Sequence, residues 1–232
     1  MIKLLDNDAL ELSGVVANSA MNRERGCTGK NSYVRELSFD PLDFLKSRIE
    51  TRRQASWLDL CCGRGRALIE AAEALAPFSS GSNLKLLGID LVAMFDSYSP
   101  ELSFIRLQEF TVSSWRPDCL FDLVTCVHGL HYIGDKLGFI QNAASWLKEH
   151  GVFLANLDPD NLKFPNGVNG GNKIIRDLRK IGFEYHAGKH LIVCKDRKDF
   201  TLNYRYLGAD DAAGPNYTGQ AAVNSHYDQL AA

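Results

Sequence analysis

Histidine is the side chain whose ordinary pKa lies nearest neutrality, and this chain of 232 residues sets two, His128 and His131, just beyond an apolar run, FDLVTCV at residues 121–127. If that run is a buried strand, His128 stands at its C-terminal end and is the best-placed general base in the chain. The H-x-x-H spacing offers two nitrogen ligands. No glutamate or third ligand accompanies it, and none of the six cysteines forms a C-x-x-C pair, so the sequence predicts no metal site. One of the two histidines then serves packing or capping. A further apolar run, VFLANLD at residues 152–158, ends in Asn156 and Asp158. Both face the same cleft, unless they only shape the turn before Pro159.

Glycines and acids supply the other chemistry. Residues 57–75 read WLDLCCGRGRALIEAAEAL. Trp57, Leu58 and Leu60 give a buried strand, and Leu68, Ala71, Ala72 and Leu75 recur at helical spacing. Between them Gly63 and Gly65 allow a sharp turn and close approach of a ligand. A strand, a glycine turn and a helix N-terminus is where open α/β sheets hold nucleotide-like ligands. A nicotinamide fingerprint requires a third glycine where this chain has Leu68, and there is no G-x-x-x-x-G-K-[ST] phosphate loop. What remains is D-x-C-x-G-x-G at residues 59–65. Asp90 ends the next apolar run, LKLLGID, and is placed to accept both hydroxyls of a ribose.

The elements that must position these groups follow from periodicity. Residues 4–20 suggest a helix, then a polar loop. Asp40 fits as an N-cap before Pro41, with Leu42, Leu45 and Ile49 on one face of a second helix. Residues 52–56 connect into the sheet. Strands are predicted over 84–90, 103–110, 121–127 and 152–158. Leu137, Ile140, Ala144 and Leu147 mark a helix that Gly151 is expected to cap. A polar loop (161–173) and a short helix follow, and FEYHAGKHLIVCKD and FTLNYRYLG form an expected antiparallel pair with a turn at Arg197 and Lys198. Strands alternating with helices predict an α/β fold: a mainly parallel, doubly wound sheet with an antiparallel C-terminal edge. Residues 1–56 form an N-terminal helical lid, and residues 57–232 the Rossmann-like ligand-binding domain with its tail folding back.

Bulk properties narrow the function. A formal charge of −2 gives no basic surface for nucleic acid. No apolar run approaches the roughly 20 residues that cross a bilayer, and the acids in the N-terminal stretch make it a poor signal peptide. Six cysteines in this length do not form a disulfide framework, so a reducing cytoplasm is expected. The expected partner is a small molecule, without nucleic acid or membrane. The sequence carries no signal of oligomeric state.

Three segments together, residues 58–68, GIDL at 88–91 and FDLVTCVHGLHY at 121–132, resemble the class I S-adenosylmethionine-dependent methyltransferases, whose first motif commonly reads LDLGCGxGxxL. The resemblance keeps the family's order and spacing over much of the chain and implies the fold of that class. It implies that Asp59, Cys61, Gly63 and Gly65 hold the methionyl part, that Asp90 holds the ribose and that Leu91 packs on the adenine. Val127 is carried over as a further cofactor contact. The adenine amine usually meets an acid after strand three, where this chain offers Thr111 and Val112, and Cys61 replaces the usual glycine. A Rossmann-like domain for another nucleoside is the alternative.

The segments ANSAMNRERG (17–26), NSYVREL (31–37), FDPLDFL (39–45) and YLGADDAAGPNYTG (206–219) are similar to a narrower group, the azetidine-2-carboxylate synthases. These cyclise S-adenosylmethionine: the α-amine attacks the γ-carbon and 5′-methylthioadenosine leaves. That chemistry needs a deprotonated amine, a closed pocket and a clamp on the carboxylate. His128 is the expected base, and Asn156 orients the amine. Arg35 and Arg23 are clamp candidates, or else solvated arginines. Tyr33 covers the sulfonium by cation–π contact or bonds the amine, or only packs. Asn216 and Tyr217 close the site or form a surface turn. A small-molecule methyltransferase with an external acceptor is the runner-up, and a non-catalytic S-adenosylmethionine sensor a third reading.

Overall fold

The computed structural model describes residues 3–17, 24–79 and 83–230. Its centre is β1 (Ala55–Leu60), buried at every position because helices cover both faces of the sheet. Leu58 and Leu60 point into one core layer and Trp57 into the other, the alternation that a strand imposes. Parallel neighbours flank it: β2 (Leu84–Asp90) then β3 (Ile105–Glu109) on one side, β4 (Phe121–Cys126) then β5 (Leu147–Asn156) on the other. β8 (Leu191–Lys195) and β7 (Glu184–His186) continue the sheet antiparallel, giving seven strands in the order β3-β2-β1-β4-β5-β8-β7. One core layer lies under α4 (Pro41–Arg52) and α5 (Arg66–Leu75), the other under α6 (Lys136–Ser145) and α7 (Gly171–Lys180). The expected α/β, mainly parallel, doubly wound sheet is therefore what the chain forms.

α4 starts as its sequence predicts, with the Asp40 carboxylate accepting from the Leu42 and Asp43 N–H groups and Pro41 at the first helical position. It buries Leu45 and Ile49 against the layer containing Trp57 and Leu68, so it belongs to the sandwich. The N-terminal stretch forms two short helices, α1 (Asn7–Glu11) and α2 (Gly14–Ala17), not one long helix. With α3 (Tyr33–Leu37) they reach over the C-terminal ends of the strands.

Two further expectations need correction. The final strands do not pair with each other. β8 is buried at four of its five positions and needs neighbours on both sides, so it lies between β5 and β7. β9 (Tyr204–Asp210) alternates half-buried and exposed residues along its first half, and joins β10 (Asn224–Gln229) and β6 (Leu162–Lys163) in a second, three-stranded sheet. Gly151 caps no helix: α6 ends at Ser145 with Trp146 as its cap, and Leu147 already starts β5. Gly151 lies inside that strand, where the pairing with β4 is irregular and a Cβ would stand 2.9 Å from the Phe121 carbonyl oxygen.

The second sheet is fastened to the start of α6 through a fully buried lysine. Lys136 Nζ donates to the carbonyls of Ile133 and Val223 and to Ser225 Oγ, each at 2.9 Å. Burial lowers its pKa from 10.5 to about 7. Leu10 and Val16 of the lid pack with Tyr132, Ala209 and Val223 in a third apolar cluster, so lid and tail meet over the strand ends.

A candidate active site at the strand ends

The turn after β1 winds left-handed at Cys61 (φ 58°), Gly63 (60°) and Gly65 (75°). A Cβ on Gly65 would lie 2.5 Å from the Leu107 side chain, so glycine lets the turn lie against β3. The Gly63 N–H donates to Asp90 Oδ2 at 2.8 Å and ties the turn to the end of β2. Cys61, Asp90, Leu91, Val112 and Gly129 line one cleft, which Leu10, Glu11 and Val16 of the lid complete. Cys61 thus occupies a left-handed position that favours glycine, and its thiol forms part of the floor. A hydrogen bond with Cys126 and burial hold that thiol well above its ordinary pKa, so it stays protonated.

The cleft combines acidic and apolar groups. It has a carboxylate at the end of β2, an apolar slot between Leu91 and Val112, and a second carboxylate, Glu11, on the lid. Val127 turns into the core beside α5 instead. Thr111 takes part indirectly: its Oγ1 donates to Glu11 Oε2 at 2.9 Å.

Asp59 is fully buried. Its Oδ1 accepts from Thr125 Oγ1 at 2.6 Å and its Oδ2 from the Tyr33 hydroxyl at 2.7 Å. Burial outweighs those two bonds and raises its pKa from 3.8 to about 7. Tyr33 packs edge-on against Trp57 and gives its hydroxyl to Asp59. Its geometry is that of a packed residue bracing the carboxylate beneath the turn.

The base candidate has more company than the sequence suggested. His128 follows β4 with φ 60°, a strained conformation for a residue with a Cβ. Its N–H donates to Asn156 Oδ1 at 3.2 Å, and Asn156 Nδ2 reaches the Lys189 carbonyl. Asn156 therefore holds the His128 backbone, and its amide is engaged there. His128 Nε2 lies 3.0 Å from Glu36 Oε2, while Nδ1 faces the Tyr217 hydroxyl at 3.4 Å and His131 Nε2 at 3.5 Å. The bond to His128 lowers the pKa of Glu36 and keeps it ionised. Burial drives the pKa of His131 far down, so that ring stays neutral. Carboxylate, imidazole and phenol thus form a chain able to take up and pass on a proton.

Tyr217 of the tail stacks on His190, with ring centroids 3.9 Å apart. Beyond that pair lies a polar hollow lined by Asp158, Asn161, His190, Asn216 and Tyr217. The two cavities meet His128 only through its neighbours: Gly129 lines the first cleft, and Tyr217, against Nδ1, lines the hollow. Among the described residues no group of three or more His, Cys, Asp or Glu could hold a metal ion. No helix among them is long and apolar enough to cross a membrane.

Arg35 is a correction. It is exposed and donates to the Lys30 carbonyl, away from the cleft. Arg23 lies outside the described residues. The lid arginine near His128 is Arg25, whose Nε stands 3.4 Å from Glu36 Oε1. Helical spacing carried a signal for Glu36: it sits three residues after Tyr33, on the face that Leu37 also buries, with Arg35 turned away. Glu11 carried no such signal, because its partners are about a hundred residues distant.

Residues 31–194 match the methyltransferase domain family. Among solved structures, a putative S-adenosylmethionine-dependent methyltransferase from Listeria monocytogenes is 20% identical, with a TM-score of 0.43 over 62% of this chain and 92% of its own. The O-methyltransferase of a trans-AT PKS multienzyme from Brevibacillus brevis, in complex with S-adenosyl-L-homocysteine, is 24% identical, with a TM-score of 0.38 over 53% of this chain and 39% of its own. Coclaurine N-methyltransferase is 15% identical (TM-score 0.39), covering 49% of this chain, which spans only 34% of that protein's length. A search of curated proteins finds no match. The family match covers more than half of the chain and includes the glycine turn, Asp90, His128 and Asn156, so the protein belongs to the methyltransferase domain family.

Proposed function

We propose that the cleft binds S-adenosylmethionine and that the protein is a small-molecule methyltransferase whose acceptor is deprotonated by His128. Bound there, S-adenosylmethionine supplies a sulfonium whose attached carbons are electrophilic. Asp90 receives the ribose hydroxyls, Leu91 and Val112 flank the base, and the turn at Cys61 and Gly63 holds the amino-acid part. The observation that carries this reading is the Glu36–His128 pair, whose neighbours Gly129 and Tyr217 line the cofactor cleft and the polar hollow respectively. Glu36 stabilises the imidazolium that forms when His128 takes the acceptor's proton. Lid and tail pack together through Leu10, Val16, Ala209 and Val223 beside the cleft and shield that side of it from water. Family membership supports methyl transfer to an external acceptor.

A second reading, cyclisation to azetidine-2-carboxylate with release of 5′-methylthioadenosine, is favoured by one feature. The Tyr217 hydroxyl stands against His128 and its ring stacks on His190, between the base and the hollow. Where Tyr217 keeps an external acceptor from His128, the nucleophile left is the amine of the cofactor itself. Incubation of the pure protein with S-adenosylmethionine alone, followed by mass spectrometry, separates the two. Methylthioadenosine with an azetidine amino acid establishes cyclisation. S-adenosylhomocysteine formed only on addition of a small amine or phenol establishes methyl transfer. Neither product under either condition overturns both readings.

A further inference from the structure

The lid places Glu11 in the nucleoside cleft with no counterpart in the sequence motifs. Its two carboxylate oxygens accept from Thr111 Oγ1 at 2.9 Å and from Ser113 Oγ at 3.3 Å, and it lines the cleft together with Val112 and Ser113. The loop that carries those hydroxyls begins beside the proposed ribose site, since the Phe110 N–H donates to the Asp90 carbonyl at 2.9 Å. From Asp90 the cleft runs along Leu91 and Val112 to Glu11, an acid, an apolar slot and a second acid in sequence. A carboxylate has about four acceptor positions, so two hydroxyl donors leave positions open toward the cleft. Such an acceptor suits a base bearing an exocyclic amine and opposes one bearing a carbonyl at that place.

We propose that Glu11 is the residue that selects the nucleobase: it accepts from the 6-amino group of adenine and disfavours 6-oxopurines. The proposal rests on the S-adenosylmethionine reading of the cleft. Glu11 belongs to a lid helix anchored to the tail through Leu5, whose N–H and carbonyl both pair with Ala209. The base is therefore read by the lid, and the lid is held by the second sheet.

The test is calorimetric binding, without turnover, of S-adenosylhomocysteine and its 6-oxo analogue, S-inosylhomocysteine. The wild-type protein is expected to favour the adenine ligand by about 100-fold, the scale of leaving one buried acceptor without its donor. Glu11→Gln is nearly isosteric, and its amide can turn to accept or donate, so the preference should fall below about five-fold. Thr111→Val removes one of the two hydroxyls that fix Glu11 and should give an intermediate preference. Thermal melting of each variant shows whether the fold is kept, and the ratio of two affinities is insensitive to a small uniform loss. A ratio unchanged in Glu11→Gln overturns the proposal and leaves the cofactor reading intact. Absence of binding of either ligand to the wild type overturns the cofactor reading, and the proposal with it.

Discussion

Glu36 decides what His128 can do. With the carboxylate 3.0 Å from Nε2, the neutral ring keeps its proton on that nitrogen and leaves the Nδ1 lone pair toward Tyr217 and the interior of the site. A base so oriented gains by accepting a proton, because the carboxylate then faces an imidazolium. His128→Ala should lower turnover by about 100-fold or more, within the usual contribution of a general base, while the affinity for S-adenosylhomocysteine changes less than about three-fold. Glu36→Gln should cost about 10-fold in turnover, since the amide still holds the ring but carries no charge. Steady-state rates with parallel calorimetry check both. Unchanged turnover in His128→Ala removes it as the base. Asn156 acts one step further back, holding the backbone of a residue that would not choose φ 60° by itself.

At the scale of elements, two turns are fitted to each other. The turn after β1 presents Cys61, and the turn after β4 presents Gly129. A Cβ on Gly129 would stand 2.5 Å from the Cys61 Cβ and 2.7 Å from Cys126 Sγ. Cysteine in the first turn thus demands glycine in the second. Gly129→Ala should destabilise by about 1–3 kcal/mol through overpacking, and should narrow the cleft that both residues line. Adding Cys61→Gly should restore part of that loss, because it removes one of the two opposing side chains, leaving Cys126, and relieves the left-handed position. Denaturant unfolding of both single variants and the double variant measures the coupling. Strict additivity would show that the turns do not touch in the way described.

For the whole molecule, two buried groups give stability a defined dependence on pH. Asp59 has its pKa raised from 3.8 to about 7, so between those values the folded protein binds more protons than the unfolded chain and stability falls as pH rises. Lys136 has its pKa lowered from 10.5 to about 7, so above pH 7 the unfolded chain binds more protons and stability rises with pH. Together they put a minimum near pH 7, with a depth on the order of 4 kcal/mol from each side. Asp59→Asn should flatten the slope from pH 4 to 7, and Lys136→Met the slope from pH 7 to 10.5, whatever each does to absolute stability. Chemical denaturation across that range checks the slopes, and a slope surviving the substitution assigns it to another group.

What the sequence determined by itself is local. The apolar run from Trp57, the two glycines, the helix from Arg66 and the acid closing β2 are written within about 35 consecutive residues, because period-two and period-3.6 patterns and turn chemistry act between near neighbours. The same holds for the Asp40 cap of α4 and for His128 at the end of β4. The pairing of β8 with β5, the second sheet around β10 and the place of Gly151 inside a strand depended on which exposed edge remained once the central strands had paired. The site divides likewise. Asp90 and the glycine turn were legible, but the carboxylates that complete it, Glu36 beside His128 and Glu11 beside Thr111, come from 92 and 100 residues away. A contact at such separation leaves no periodicity behind, because it is made only when the lid packs over the strand ends. The local sequence therefore determined what kind of ligand the turn can hold, and the tertiary structure decided which side chains surround it.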